Sequence, residues 1–170
     1  ITWRQGERVL FEEVSPDTIA AAEWEATEEM LTRFNEQKYN LKIKYFLDIN
    51  EYQDSLHYIT ATIFDPLESF YYLSIDDKTR CFINLYFDWC EIERRKLHES
   101  LAQFKEPDEI IARFNQWQLE MDVRKEKLLF SLKEGTDKEA MTKLNELVLK
   151  ELEIDNFDVF KPIWEEDKKE

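Results

Sequence analysis

Glycine, histidine and cysteine are each nearly absent: Gly6 and Gly135, His57 and His98, Cys81 and Cys90 are the full set in 170 residues. Each shortage excludes something. Glycine-cradled phosphate loops of the Walker or dinucleotide type cannot be written with two distant glycines. Two thiols and two histidines that are not spaced to join them fall short of a structural zinc site. Neither histidine has a Ser or Cys beside it in a nucleophile setting. Asp76-Asp77 is a single dicarboxylate turn without the alternating ligands of a calcium loop. No catalytic, cofactor-binding or metal-binding residue is assigned, no cofactor is expected, and the chain reads as a non-enzyme. Flanked by Phe82, Ile83 and Trp89, the cysteines read as small reduced core residues, which suits a cytoplasmic compartment.

Basic side chains are also few. Lys and Arg number 23 against 38 Asp and Glu, a formal net charge of −15. A phosphate backbone would be repelled, because binding it needs clustered cations, so direct nucleic-acid binding is not expected. No apolar run reaches membrane-spanning length and no export signal is visible, so no membrane partner is expected either. What remains is a protein partner with a basic surface, which acidity of this kind attracts and steers.

Apolar and aromatic material is plentiful, at 43% and 14% of the residues. That is enough for a core. After the irregular "ITWRQGERVLFEEV", Ser15 as N-cap, Pro16 at the first helical position and Asp17 open an amphipathic helix over 16–37. Ile19, Ala22 or Ala26, Met30 and Phe34 form its apolar stripe. Between Glu12 and Glu36 stand eight carboxylates and one arginine, Arg33. Glu23, Glu25, Glu28 and Glu29 are therefore the first candidate partner-binding residues, since like charges three and four apart repel and a basic partner would relieve them.

From Leu41 the apolar period changes to two. Leu41–Leu47 and Ile59–Ile63 read as strands separated by a loop "NEYQDS", followed by a turn at Asp65-Pro66. Tyr71–Ile75 reads as a third strand, Asp76–Thr79 as a turn, Cys81–Leu85 as a fourth strand and 86–93 as either a short fifth strand or a helical turn. Helices follow: a short one after Glu93, a longer one opened by Pro107 with Ile110, Phe114, Trp117, Met121 and Leu128 on one face, a stop at Gly135, and Ala140–Leu152 launched by a Thr136/Glu139 capping box. The tail carries Phe157, Phe160, Ile163 and Trp164. Of these, Phe157, Phe160 and Trp164 are the second set of candidate partner-binding residues. Strands grouped before helices argue an α+β fold. The expected organisation is an acidic helix plus an antiparallel four- to five-stranded curved meander over 1–92, with a helical region over 93–170 packed on it as one unit.

The stretch "LKIKYFLDINEYQDSLHYITATIFDPLESFYYLSIDDKTRCFINLYFDWCEIE" resembles the YolD-like family of small bacterial and phage proteins. The resemblance rests on a strand ending in Lys-Tyr-Phe, an Ile-Phe-Asp-Pro-Leu turn, a Tyr-Leu-Ser-Ile strand and a closing Cys-Glu-Ile-Glu. The early "ITW" and the acidic helix match in position. It covers residues 1 to about 93. The glycines usual in the family's first loop and second strand are absent, and the region after Glu93 has no counterpart. The resemblance implies an Sm-like curved sheet, no known catalysis and an accessory role near error-prone polymerases and the DNA-damage response. Function is accordingly read as protein-binding accessory or regulatory. The alternative is an acidic phage-type inhibitor that mimics nucleic acid and blocks a nuclease or other DNA-binding protein.

Overall fold

The fold is that of a computed structural model, which describes residues 1–14 and 37–169. The expected acidic helix over 16–37, with Glu23, Glu25, Glu28 and Glu29, lies outside the described residues except for Gln37. In chain order the elements are α1 (Phe11–Val14), β1 (Tyr39–Asn40), β2 (Ile43–Tyr52), β3 (Ser55–Phe64), β4 (Phe70–Tyr71), α2 (Asp77–Leu101), α3 (Pro107–Leu132), α4 (Lys138–Leu152) and α5 (Asn156–Phe160). Helix and sheet are mixed, and the strands form two small antiparallel pairs, β2 with β3 and β1 with β4. The sheet does not close into a barrel.

β2 and β3 pair without a break from Ile43↔Phe64 to Tyr52↔Ser55. The connection is only Gln53-Asp54, both with positive φ (50° and 59°). Two successive left-handed residues make the primed turn whose twist matches the strands. The expected loop over 50–55 is thus mostly strand. Its turn escaped notice because Gln and Asp stand where glycine or Asn-Gly would signal it. One face of the hairpin, with Ile43, Tyr45, Leu47, Thr60, Thr62 and Phe64, packs inward; Phe46 and Ile59 face out. Residues 1–3 extend the sheet beside β3, with Trp3 N donating to Thr62 O at 2.9 Å and Phe64 N to Ile1 O at 2.8 Å.

The largest correction concerns the third, fourth and fifth strands. Of the expected third strand, Tyr71–Ile75, only Tyr71 is strand, in the pair Phe70–Tyr71, and Cys81–Leu85 and 86–93 are helix. Asp76 begins that helix as its N-cap, with extended backbone and Oδ1 accepting from Thr79 N at 2.9 Å and Thr79 Oγ1 at 3.0 Å. α2 then runs 25 residues to Leu101, through the expected boundary at 92/93. Every residue from Cys81 to Glu93 is buried. A helix buried on all sides carries apolar residues around its circumference, and a short window of it cannot be told from a buried strand by periodicity.

The later helices follow the pattern read from the sequence, with one change. Pro107 opens α3, which buries Ile110, Phe114, Trp117 and Met121. α4 buries Met141, Leu144, Val148 and Leu152, but its N-cap is Asp137, accepting from Ala140 N at 3.0 Å. Thr136 instead donates from Oγ1 back to Lys133 O at 2.7 Å. Between α3 and α4 the residues Lys133, Glu134 and Gly135 all have positive φ. Gly135 is required there: a Cβ would lie 2.9 Å from Lys78 O and 3.0 Å from Phe82 Cβ, at the first turns of α2.

Candidate functional site

α2 carries Asn84, Asp88 and Glu91 at spacings that place them on one side of the helix, and all three are buried. Asp88 receives four donors. The Trp3 indole N–H and Arg8 Nη2 reach Oδ1 at 2.7 and 3.2 Å; Arg8 Nη1 and Asn156 Nδ2 reach Oδ2, each at 2.7 Å. Asn84 holds Val9 at both backbone groups, at 2.8 Å each. One carboxylate therefore ties residues 3–8 to α2 and α5. Arg8 Nε is buried without a partner among the described residues.

Glu91 accepts from Thr62 Oγ1 at 2.7 Å, from Arg94 at 2.7 and 2.9 Å and from Arg95 at 3.0 Å. Glu93 is held by Arg124 at 2.7 Å and Lys96 at 3.1 Å. Burial pushes both carboxyl groups up, but the hydrogen bonds from Arg94 and Thr62, and from Arg124 and Lys96, outweigh it and hold both below the usual glutamate value. The two guanidiniums also cover indole rings, Arg95 over Trp3 at 5.1 Å and Arg124 over Trp89 at 5.5 Å. These charges are consumed in packing: Glu91 and Arg94 tie β3 to α2, and Glu93 with Arg124 ties α2 to α3. Opposed carboxylates in a cleft, which acid–base work needs, are not what this cluster provides.

The remaining chemistry-bearing residues are separated. His57 is exposed on the outer face of β3, whereas His98 of α2 meets Thr60 Oγ1 through Nδ1 at 2.8 Å and lies 4.8 Å from the Tyr58 ring. Both cysteines are free and buried. Burial pushes the Cys81 thiol up to about 12 and the Cys90 thiol to about 11. Among the described residues, no group of three His, Cys, Asp or Glu is placed to hold a metal ion, and no helix is long and apolar enough to cross a membrane.

The C-terminal candidates have a packing role. Trp164 is 5% exposed, donates from Nε1 to Gly135 O at 3.0 Å and lies 5.4 Å from the Phe157 ring. It pins the chain after α5 against the turn between α3 and α4, which removes it from any surface. Phe157 and Phe160 are half-buried against the core. Two surfaces escaped sequence reading. One is the outer hairpin face, where Phe46 is 49% and Ile59 61% exposed. The other is the outer side of α3, with Leu119, Val123 and an 81% exposed Phe130. The second was legible: 119, 123 and 130 are a second apolar stripe opposite Ile110, Phe114 and Met121. No family model, curated protein or solved structure matches the chain.

Proposed function

We propose that the chain is a protein-binding accessory or regulatory protein without catalysis of its own, acting on a partner with a basic surface. The observation that carries this is the set of large apolar side chains left in the open on an acidic protein: Phe46 and Ile59 on the hairpin, Leu119, Val123 and Phe130 on α3. Apolar anchors rimmed by charge are the usual anatomy of an interaction surface. The YolD-like resemblance adds the proposal that the partner belongs to the DNA-damage response or to error-prone synthesis. The net charge of −15 keeps a second reading in view, an acidic inhibitor that occupies the nucleic-acid channel of a nuclease.

Co-purification from the native host, followed by binding of the purified partner over a salt series, tests this. Association should slow steeply as salt rises, and Glu25→Gln/Glu28→Gln/Glu29→Gln should lower the on-rate. A partner that the protein displaces from DNA would favour the inhibitor reading. Turnover of a substrate by the purified protein would overturn the proposal.

A further inference from the structure

The two edges of the β2–β3 hairpin are treated differently. With a two-residue turn between Tyr52 and Ser55, the even-numbered residues of β2 exchange hydrogen bonds with β3 and the odd-numbered ones direct N–H and C=O outward. The same alternation directs the even-numbered residues of β3 to its own outer edge. In the half away from the turn they are occupied: Thr62 O and Phe64 N bond residues 1–3, and Thr60 O accepts from Arg94 Nη1 at 3.4 Å, while Leu56 and Tyr58 near the turn have no backbone partner among the described residues. On the β2 edge only Ile43 is engaged, its carbonyl accepting from Lys125 Nζ at 3.0 Å. The outward backbone groups of Tyr45, Leu47, Ile49 and Glu51 have no partner among the described residues.

Natural sheets blunt such an edge with proline, a bulge, a short strand or an inward charge. β2 has ten residues, no proline and an unbroken register. Its flank is furnished as well. Gln118, Asp122 and Lys125 of α3 line a hollow of about 350 Å³ with Lys42, Ile43, Lys44 and Tyr45, so α3 borders this edge. Ile111, seven residues before Gln118 and so on the same side of the helix, is exposed. On the opposite face of the sheet stands Phe46. A strand laid beside β2 would thus find an apolar contact on each of its two faces.

We infer that β2 is a docking edge for an extended segment of a partner in which apolar residues alternate with Lys or Arg, added to the sheet as a further antiparallel strand. The inference rests on the protein-binding reading and gives it a surface. Charge selects the occupant. Asp48, Glu51 and Asp54 make the edge acidic toward the hairpin tip, with Asp122 on the flank, none of them with an ion-pair partner in the described residues; at the other end Lys44 is held by Asp65 and Glu68 at 2.7 and 2.8 Å and Lys125 by Ile43 O at 3.0 Å, beside Lys42. A second copy would bring another −15 and the same carboxylates to the same edge. A basic strand brings the opposite sign and gains the main-chain bonds in addition.

The test uses the isotope-labelled chain and two acetylated peptides of about seven residues, enough to match a typical strand, alternating Val with Lys or Val with Glu. With the Val/Lys peptide, amide exchange at Tyr45, Leu47 and Ile49 should slow by about tenfold or more, while Phe46 and Asp48, already bonded to β3, stay unchanged. Glu51→Pro removes an outward N–H at an exposed position, and it should weaken the effect without lowering the melting temperature. Equal slowing by the Val/Glu peptide would overturn the assignment of a basic strand. So would concentration-dependent slowing without peptide, which would place a second copy on the edge. No slowing with either peptide would overturn the edge itself, measured on the parent whatever the fate of the variant. Peptide-induced shifts confined to Leu119, Val123 and Phe130 would leave the protein-binding reading standing and move its surface to α3.

Discussion

Replacing Asp88 with Ala removes the acceptor on which Trp3, Arg8 and Asn156 converge. The arginine is the costly survivor. Its side chain is 13% exposed and its Nε already lacks a partner, so losing the carboxylate strands a positive charge inside the protein. Breaking a buried pair from one side costs about 3–5 kcal/mol, and the loss should lie in the upper half of that range because two neutral donors are orphaned as well. Urea unfolding measures it: with a slope of about 2 kcal/mol/M, usual for a chain of this size, the midpoint should fall by about 2 M. Asp88→Leu with Arg8→Met, which removes both charges, should recover much of the loss. A drop below about 1 kcal/mol in Asp88→Ala, or no recovery in the double variant, would refute the reasoning.

Three further outcomes are expected. Because Glu91 and Glu93 are held below the usual glutamate value, their contribution is present at neutral pH and above, and is lost as the pH falls through their lowered values. Urea midpoints should therefore decline below about pH 4.3, the ordinary glutamate value, and Glu91→Gln should flatten the decline. Cys81 and Cys90, buried and with raised thiol values, should react with a disulfide reagent at pH 8 only as fast as the protein opens; labelling as rapid as that of a free thiol would contradict their burial. Gly135→Ala, forced into positive φ against Lys78 O and Phe82, should cost about 2 kcal/mol or more by thermal or urea unfolding.

The helices after residue 100 were legible because their apolar residues recur on one face and Pro107 and Gly135 mark their ends, although the cap of α4 is Asp137 and not its neighbour Thr136. The hairpin was legible as two alternating runs, although its turn was not. What failed was 71–93. There a fully buried helix offers apolar residues at every spacing, so a period of two could be found wherever it was sought. The decisive signal was Asp76 three residues before Thr79, a side-chain cap that was read as half of a turn. The candidate surface failed in a different way. In sequence Trp164 is one of three tail aromatics with no assigned contact, yet its indole N–H is satisfied by Gly135 O, a contact that only the tertiary arrangement creates. The β2 edge could not be read at all, since an unpaired edge is defined by what the rest of the chain leaves uncovered.

The ties made by residues 3–8 have a consequence for the order of assembly. Arg8 meets Asn156 across 148 residues and Gln5 meets Leu152 across 147. On a ribosome, the strand beside β3 and the bonds of Trp3 and Arg8 to Asp88 can form once α2 has emerged, whereas the ties to Leu152 and Asn156 wait for the last helices. Contacts of such long sequence separation are made late and slowly. Until then the flank of α2 that α4 and α5 cover would be in the reach of chaperones, and a chain halted before residue 152 would never gain that closure. A ribosome-stalled series ending on either side of α5 should show this as a further gain of protease resistance around Gln5 and Arg8.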